Sequence, residues 1–158
     1  MSKVLFVCTG NLCRSPMAEA LLRARLASDE ERRHWQIDSA GVWTVDGRPA
    51  STLAIEEMAR RGIDLSAHRS RSVTGELMCE ADLVLAMTQS HVAALEAAFP
   101  ERASKIHLMS AMVDKAFDIN DPYGGTRLEY QYVAEELTHL IEEGYERIVA
   151  LAEGPGDD

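Results

Sequence analysis

Hydrophobic residues recur along this chain in two alternating rhythms. Val4-Leu5-Phe6-Val7 is a short unbroken apolar run, the pattern of a strand covered on both faces. Beyond it, Ala18, Leu21, Leu22 and Leu26 return at three- and four-residue spacing. That predicts a helix with Pro16 in its first turn, fraying in the charged run Asp29 to Arg33. Trp35 to Ala40 reads as a strand punctuated by Gly41, Ser51 to Arg61 as a helix stopped by Gly62, and Thr74 to Ala81 as a short helix. Leu83-Val84-Leu85-Ala86-Met87 is another buried strand, Ser90 is placed to cap a helix ending before Pro100, and Ile106 to Met109 suits a fourth strand. Tyr130, Val133, Ala134, Leu137, Ile141, Tyr145, Ile148 and Val149 lie at the spacing of one long final helix. From Glu153 the chain is Gly, Pro and acidic, so residues 153–158 are expected to fray.

This alternation predicts an α/β fold: a single doubly wound domain over residues 1–158, its four-stranded parallel sheet flanked by helices on both faces. No internal repeat or low-complexity linker divides it. Ligands of such sheets bind beyond the carboxyl ends of the strands. The first strand delivers the chain there into Cys8-Thr9-Gly10-Asn11-Leu12-Cys13-Arg14-Ser15-Pro16.

Composition narrows the picture. No apolar stretch approaches the ~20 residues of a membrane span, and the N-terminus lacks a signal peptide's basic and apolar segments, so no membrane partner is expected. The chain has three cysteines, an odd number, which points to a reducing cytoplasm over a disulfide scaffold. The formal net charge of −10 argues against a nucleic-acid partner. An anionic substrate must then be captured by local positive potential.

The loop after the first strand supplies it. A strand, a Gly/Asn-containing loop and a helix N-terminus make an anion cradle in which amide N–H groups and the helix dipole favour negative charge. Cys8 at its start would be held as a thiolate able to attack phosphorus in line, where an isolated cysteine would more often fill a core. Arg14 could fork onto two oxygens of the anion. Gly10 permits close backbone approach or positive φ, and Asn11 tolerates left-handed geometry. Ser15 caps the helix, donates to the sulfur, or both. Cys13 is either a buried neutral thiol or a resolving partner for an oxidised Cys8, and Cys79, following Met78 in a helical pattern, reads as core. The leaving group needs a proton donor. Asp121, before Pro122 and Tyr123 in a turn-rich loop, suits general acid then base, with Asp118 as its rival.

These residues carry a resemblance. From Lys3 to about Ala152 the chain resembles the low-molecular-weight protein tyrosine phosphatase family, through Cys8 to Pro16, Asp38-Ser39-Ala40-Gly41, Ser66-Ala67-His68-Arg69-Ser70 and Asp121-Pro122-Tyr123. The resemblance implies a phosphatase loop after the first strand, with Cys8 as nucleophile, Arg14 as phosphate clamp and Asp121 as acid and base. Thr9, Gly10, Asn11, Leu12 and Cys13 would line the phosphate, Asn11, Ser15, Ser39 and His68 would support the loop, and Cys13 would match the family's redox partner. Trp43 and Tyr123 look like pocket walls for an aromatic ring, with Leu12 beside them. It further implies a metal-free, cofactor-free hydrolase of phosphorylated proteins, releasing inorganic phosphate.

Leu85-Ala86-Met87-Thr88 and the Asp-Pro-Tyr-Gly-Gly segment resemble bacterial members, including protein-arginine phosphatases, which carry threonine at the position of Leu12. Leucine there leans toward phosphotyrosine, with phosphoarginine the alternative. An arsenate reductase on this fold would need a later cysteine pair, and only Cys79 follows the loop. A phosphocarrier would have little use for Arg14 or Asp121, and a purely binding module none for an intact nucleophile.

Overall fold

Along β1 (Lys3–Cys8) successive side chains point to opposite faces, and each face finds its own helices. Val4 and Phe6, with Ile37, Leu83 and Leu85, pack against Met17 and Leu22, Tyr130 and Leu137, and Ile148. Leu5 and Val7, with Ala40, Val84, Ala86 and Ile106, pack against Met78 and Leu95. Burying a side chain such as Phe6, which is 0% exposed, stabilises the fold by roughly 1.5–3 kcal/mol.

The computed structural model describes residues 1–154. After β1 come α1 (Arg14–Leu26), β2 (Gln36–Gly41), α2 (Thr52–Arg60), α3 (Gly75–Glu80), β3 (Leu83–Ala86), α4 (Gln89–Ala98), β4 (Ile106–Leu108), α5 (Arg127–Glu143) and α6 (Tyr145–Glu153), with 3₁₀ segments Pro100–Lys105 and Met109–Val113 on either side of β4. The four strands form one sheet in the order β2-β1-β3-β4, and every pairing is parallel. From β1 the chain moves outward to β2 and later returns past β1 to β3, so the order reverses between β1 and β3. The crevice at the carboxyl ends of those two strands is where such folds hold ligands. No helix among the described residues is long and apolar enough to cross a membrane.

Several local expectations need correction. The helix after β1 begins at Arg14, two residues before Pro16, which still falls in its first turn. Asp29 to Arg33 does not fray: Arg32 pairs with Asp29 at 3.1 Å and with Glu153 at 2.8 Å, and the Tyr145 hydroxyl donates to Asp29. The same contact anchors Glu153 at the end of α6, so the expected tail does not start there; residues 155–158 lie outside the described residues. Thr88, not Ser90, caps α4, accepting from the His91 N–H. Cys79 is exposed, while its neighbour Met78 is fully buried. The long final helix divides at Gly144, where an added Cβ would lie 2.7 Å from both the Leu140 carbonyl oxygen and Met112 Cβ. The backbone there packs directly on Met112, and the same apolar spacing resumes in α6.

Candidate active site

Beyond β1, the loop is held from the side by the chain leaving β2. Val42 N–H donates to the Cys8 carbonyl (2.9 Å) and Trp43 N–H to that of Thr9 (3.0 Å). Only glycine fits where they meet, since a Cβ on Gly41 would sit 2.5 Å from the Thr9 carbonyl oxygen. The loop turns on Asn11, left-handed at φ 58° and wholly buried. Gly10, expected to supply positive φ or close approach, does neither within the fold: its φ is not positive, and a Cβ there would meet only Leu12 side-chain atoms at ordinary contact distance.

Asn11 is the hub. Its Nδ2 donates to Ser15 Oγ and Ser39 Oγ, both at 2.9 Å, and its Oδ1 accepts the Arg71 N–H at 3.0 Å. Its carbonyl lies 2.8 Å from His68 Nε2. Burial, helped by Arg71, Arg69 and Arg23, pushes His68 below the ordinary histidine pKa. The ring is therefore neutral and donates through Nε2. A residue in the costly left-handed region is over-determined here by five hydrogen bonds, counting its own N–H to Cys8 Sγ at 3.3 Å.

Cys8 is 2% exposed, and its sulfur lies 2.9 Å from Ser15 Oγ. Ser15 makes no cap; the sulfur reading of its hydroxyl is the one the geometry bears. No side chain caps the N-terminus of α1, so its first N–H groups and dipole remain available to an anion. Arg14, the first residue of that helix, is 4% exposed. Its Nη1 donates to the Ile119 carbonyl (2.9 Å), and its Nη2 meets Thr9 Oγ1 (3.4 Å) and Asp121 Oδ2 (3.5 Å).

The two candidate carboxylates separate. Asp118 accepts the Gln89 N–H at 2.8 Å, at the start of α4, and does not line the cavity above Cys8. Asp121 does, its Oδ1 accepting the Tyr123 N–H at 3.0 Å in an Asx-turn while Oδ2 faces Arg14. That cavity, about 260 Å³, brings together Cys8, Thr9, Gly10, Leu12, Cys13, Arg14, Asp121, Trp43 and Tyr123. Trp43 is 84% exposed and Tyr123 58%, so they stand at its mouth. A larger cavity of about 670 Å³ lies behind the loop, touching Ser39 and His68 but none of Cys8, Arg14 and Asp121.

Cys13 is buried and lines the same cavity as Cys8. Its sulfur lies 3.2 Å from the Tyr130 hydroxyl and 3.3 Å from Ser51 Oγ, and burial pushes its thiol pKa up. Cys79 does not reach the Cys8 cavity, leaving no later cysteine for a relay.

Some participants escaped sequence reading. Arg48 also lines the cavity, Tyr130 and Ser51 hold Cys13, and the Ile119 carbonyl holds Arg14. None has a local motif, because each acts through a contact between distant segments. His91, 2.8 Å from Thr9 Oγ1, had one available signal: Thr-x-x-His at a strand-to-helix crossing is a capping-box spacing.

The chain has known counterparts. Residues 3–151 match the family model described as low molecular weight phosphotyrosine protein phosphatase. A probable low molecular weight protein-tyrosine-phosphatase, EpsP, of Ralstonia solanacearum is 36% identical over 148 residues, covering 94% of this chain and 97% of that protein. A protein-arginine-phosphatase of Bacillus subtilis is 37% identical over 139 residues, covering 87% and 91%. The crystal structure of a low molecular weight protein tyrosine phosphatase from T. tengcongensis superposes with a TM-score of 0.88 at 43% identity, covering 93% of this chain and 99% of that one. The chain belongs to the low molecular weight phosphotyrosine protein phosphatase family, and with it to the hydrolases.

Proposed function

We propose that this protein is a protein-tyrosine phosphatase that works through a phosphocysteine on Cys8. The observation that carries the reading is one small cavity in which the Cys8 sulfur, the uncapped α1 N-terminus, the Arg14 guanidinium and the Asp121 carboxyl converge. The Cys8 thiolate, stabilised by the Ser15 hydroxyl and the Asn11 N–H, attacks phosphorus as the phenolic oxygen departs on the opposite side. A P–S bond forms, the P–O bond breaks, and the protonated Asp121 carboxyl gives its proton to the leaving oxygen. The Asp121 carboxylate then takes a proton from water, whose oxygen attacks phosphorus and releases inorganic phosphate and the Cys8 thiolate. Arg14, held by the Ile119 carbonyl, forks onto the equatorial oxygens. The reading uses no metal and no cofactor. Preorganised amides and Arg14 supply most of the acceleration, since nothing in the cradle must reorganise as charge shifts.

Trp43 and Tyr123 at the mouth suit the flat ring of phosphotyrosine. Leu12, only 9% exposed in the cavity wall, offers no partner to the polar nitrogens of a phosphoguanidinium group. Leaving such a group unpaired costs ~1–3 kcal/mol. The second reading, a protein-arginine phosphatase, is favoured by the likeness to the Bacillus subtilis protein. Competing hydrolysis of two peptides differing only in phosphotyrosine or phosphoarginine separates them. The expected result is a higher kcat/KM for phosphotyrosine, with Leu12→Thr narrowing or reversing the preference. Faster release from phosphoarginine by the unchanged protein makes the second reading correct.

A further inference from the structure

Among the buried titratable side chains that the mechanism above leaves unused, His91 reaches a hydroxyl in the cavity wall. His91 is the third residue of α4, at the crevice between β1 and β3, and only 4% of it is exposed. Its two ring nitrogens have different partners. Nδ1 accepts the Thr88 N–H at 3.2 Å, so Nδ1 carries no proton. Burial and the nearby Arg14 push the ring's pKa down to about 4, so it is neutral at physiological pH and its proton sits on Nε2. Nε2–H therefore donates to Thr9 Oγ1, 2.8 Å away.

Thr9 Oγ1 also accepts from Arg14 Nη2 at 3.4 Å. A hydroxyl oxygen has two lone pairs and one hydrogen. His91 and Arg14 take both lone pairs, so the hydroxyl hydrogen must point away from them. Thr9 lines the cavity that holds Cys8 and Arg14, with its hydroxyl tied to the guanidinium that the phosphatase reading assigns to the phosphate.

We propose that the Thr9 hydroxyl is a hydrogen-bond donor to a phosphoryl oxygen, and that His91 is the positioning residue that aims it. This rests on the phosphoryl-transfer reading and adds two residues to it. A threonine free to rotate would spend part of its time donating to the imidazole or offering the phosphate a lone pair, which repels an anion. A fixed Nε2–H removes both options. The capping hydrogen bond from Thr88 fixes the tautomer, so the start of α4 sets the polarity of a hydroxyl on the opposite side of the crevice.

A double-mutant cycle on the full chain tests this, read by kcat/KM for an aryl phosphate and, without turnover, by calorimetric affinity for inorganic phosphate. Thr9→Val should weaken phosphate binding and lower kcat/KM by about 10-fold each, as loss of a charge-assisted hydrogen bond does, while Thr9→Ser stays within about 2-fold of the unchanged protein. His91→Leu should lose about as much as Thr9→Val, and His91→Gln, which keeps an N–H donor, should recover part of it. In the Thr9→Val background His91→Leu should cost nothing further. The proposal is overturned if His91→Leu costs as much with Val at 9 as with Thr, or if Thr9→Val binds phosphate as the unchanged protein does. The Thr9 pair carries the test even if His91→Leu does not fold. An unchanged protein that neither hydrolyses aryl phosphates nor binds phosphate would instead overturn the phosphatase reading.

Discussion

Asp118 and Asp121 are chemically alike and three positions apart, and only their partners tell them apart. Asp118 spends one oxygen on the Gln89 N–H at the start of α4, whereas Asp121 lines the cavity with a loose 3.5 Å contact to Arg14 and a half-exposed carboxyl. A group so placed can exchange its arginine contact for a leaving oxygen. Asp121→Ala should lower kcat/KM for an aryl phosphate with a basic leaving group by ~10²–10³-fold, and much less for an activated one. Asp118→Ala should show no such dependence. Comparing two aryl phosphates of different leaving-group basicity checks both variants, and the reverse pattern would mean that Asp118 is the acid. At this scale the site was largely legible, because Cys8, Asn11, Arg14 and Ser15 share one short loop whose spacing fixes their geometry. The Asp118/Asp121 ambiguity was not, since the Ile119 N–H that ties this segment to the Met87 carbonyl at the end of β3 joins residues far apart in sequence.

The start of α4 links an element boundary to the chemistry. Thr88 and His91 form a reciprocal cap, each side chain accepting the other's backbone N–H. Sequence pattern placed the cap two residues late, on Ser90, because serine is the commoner capping residue and a histidine as the return partner is unusual. The final helix was overextended for a similar reason: apolar spacing continues through Gly144, and periodicity alone does not register that the backbone there lies against Met112. The cap makes a pH-dependent contribution. With its folded pKa depressed to about 4, His91 remains neutral where an unfolded histidine of pKa 6.5 takes up a proton. The unfolded chain therefore binds more protons between those values. The contribution is complete above pH 6.5 and is lost as pH falls toward 4, to the extent of at most about 3 kcal/mol. His68 and His107, also depressed by burial, act in the same direction, while the half-buried Glu19 and Glu136, raised by desolvation, oppose it. The difference between the unchanged protein and His91→Gln isolates the effect. Denaturant unfolding at pH 7 and pH 4.5 should show the unchanged protein losing more stability than the variant, and equal losses would refute a depressed His91.

For the whole molecule, a formal charge of −10 is compatible with the proposed anion-binding site because that site is local. The sheet order β2-β1-β3-β4 opens a crevice between the carboxyl ends of β1 and β3. The loop after β1 brings amides, a helix N-terminus and Arg14, while the chain after β3 brings His91. The alternation of strand and helix signals made this architecture readable, since parallel strands need crossovers and crossovers of one hand leave few topologies. The closure of the site by the segment carrying Ile119 and Asp121 was not, because it depends on tertiary hydrogen bonds alone. The central claim is that this crevice makes Cys8 a nucleophile that carries phosphate covalently. Asp121→Ala mixed with an activated aryl phosphate should form the phosphoenzyme readily, the leaving group needing little help, and break it down slowly for want of a base. Rapid chemical quench followed by mass spectrometry of the peptide bearing Cys8 should find close to one phosphoryl group per chain, on Cys8 and decaying at the turnover rate. Product release at that rate with Cys8 never phosphorylated, or with the phosphate on another residue, would contradict the account.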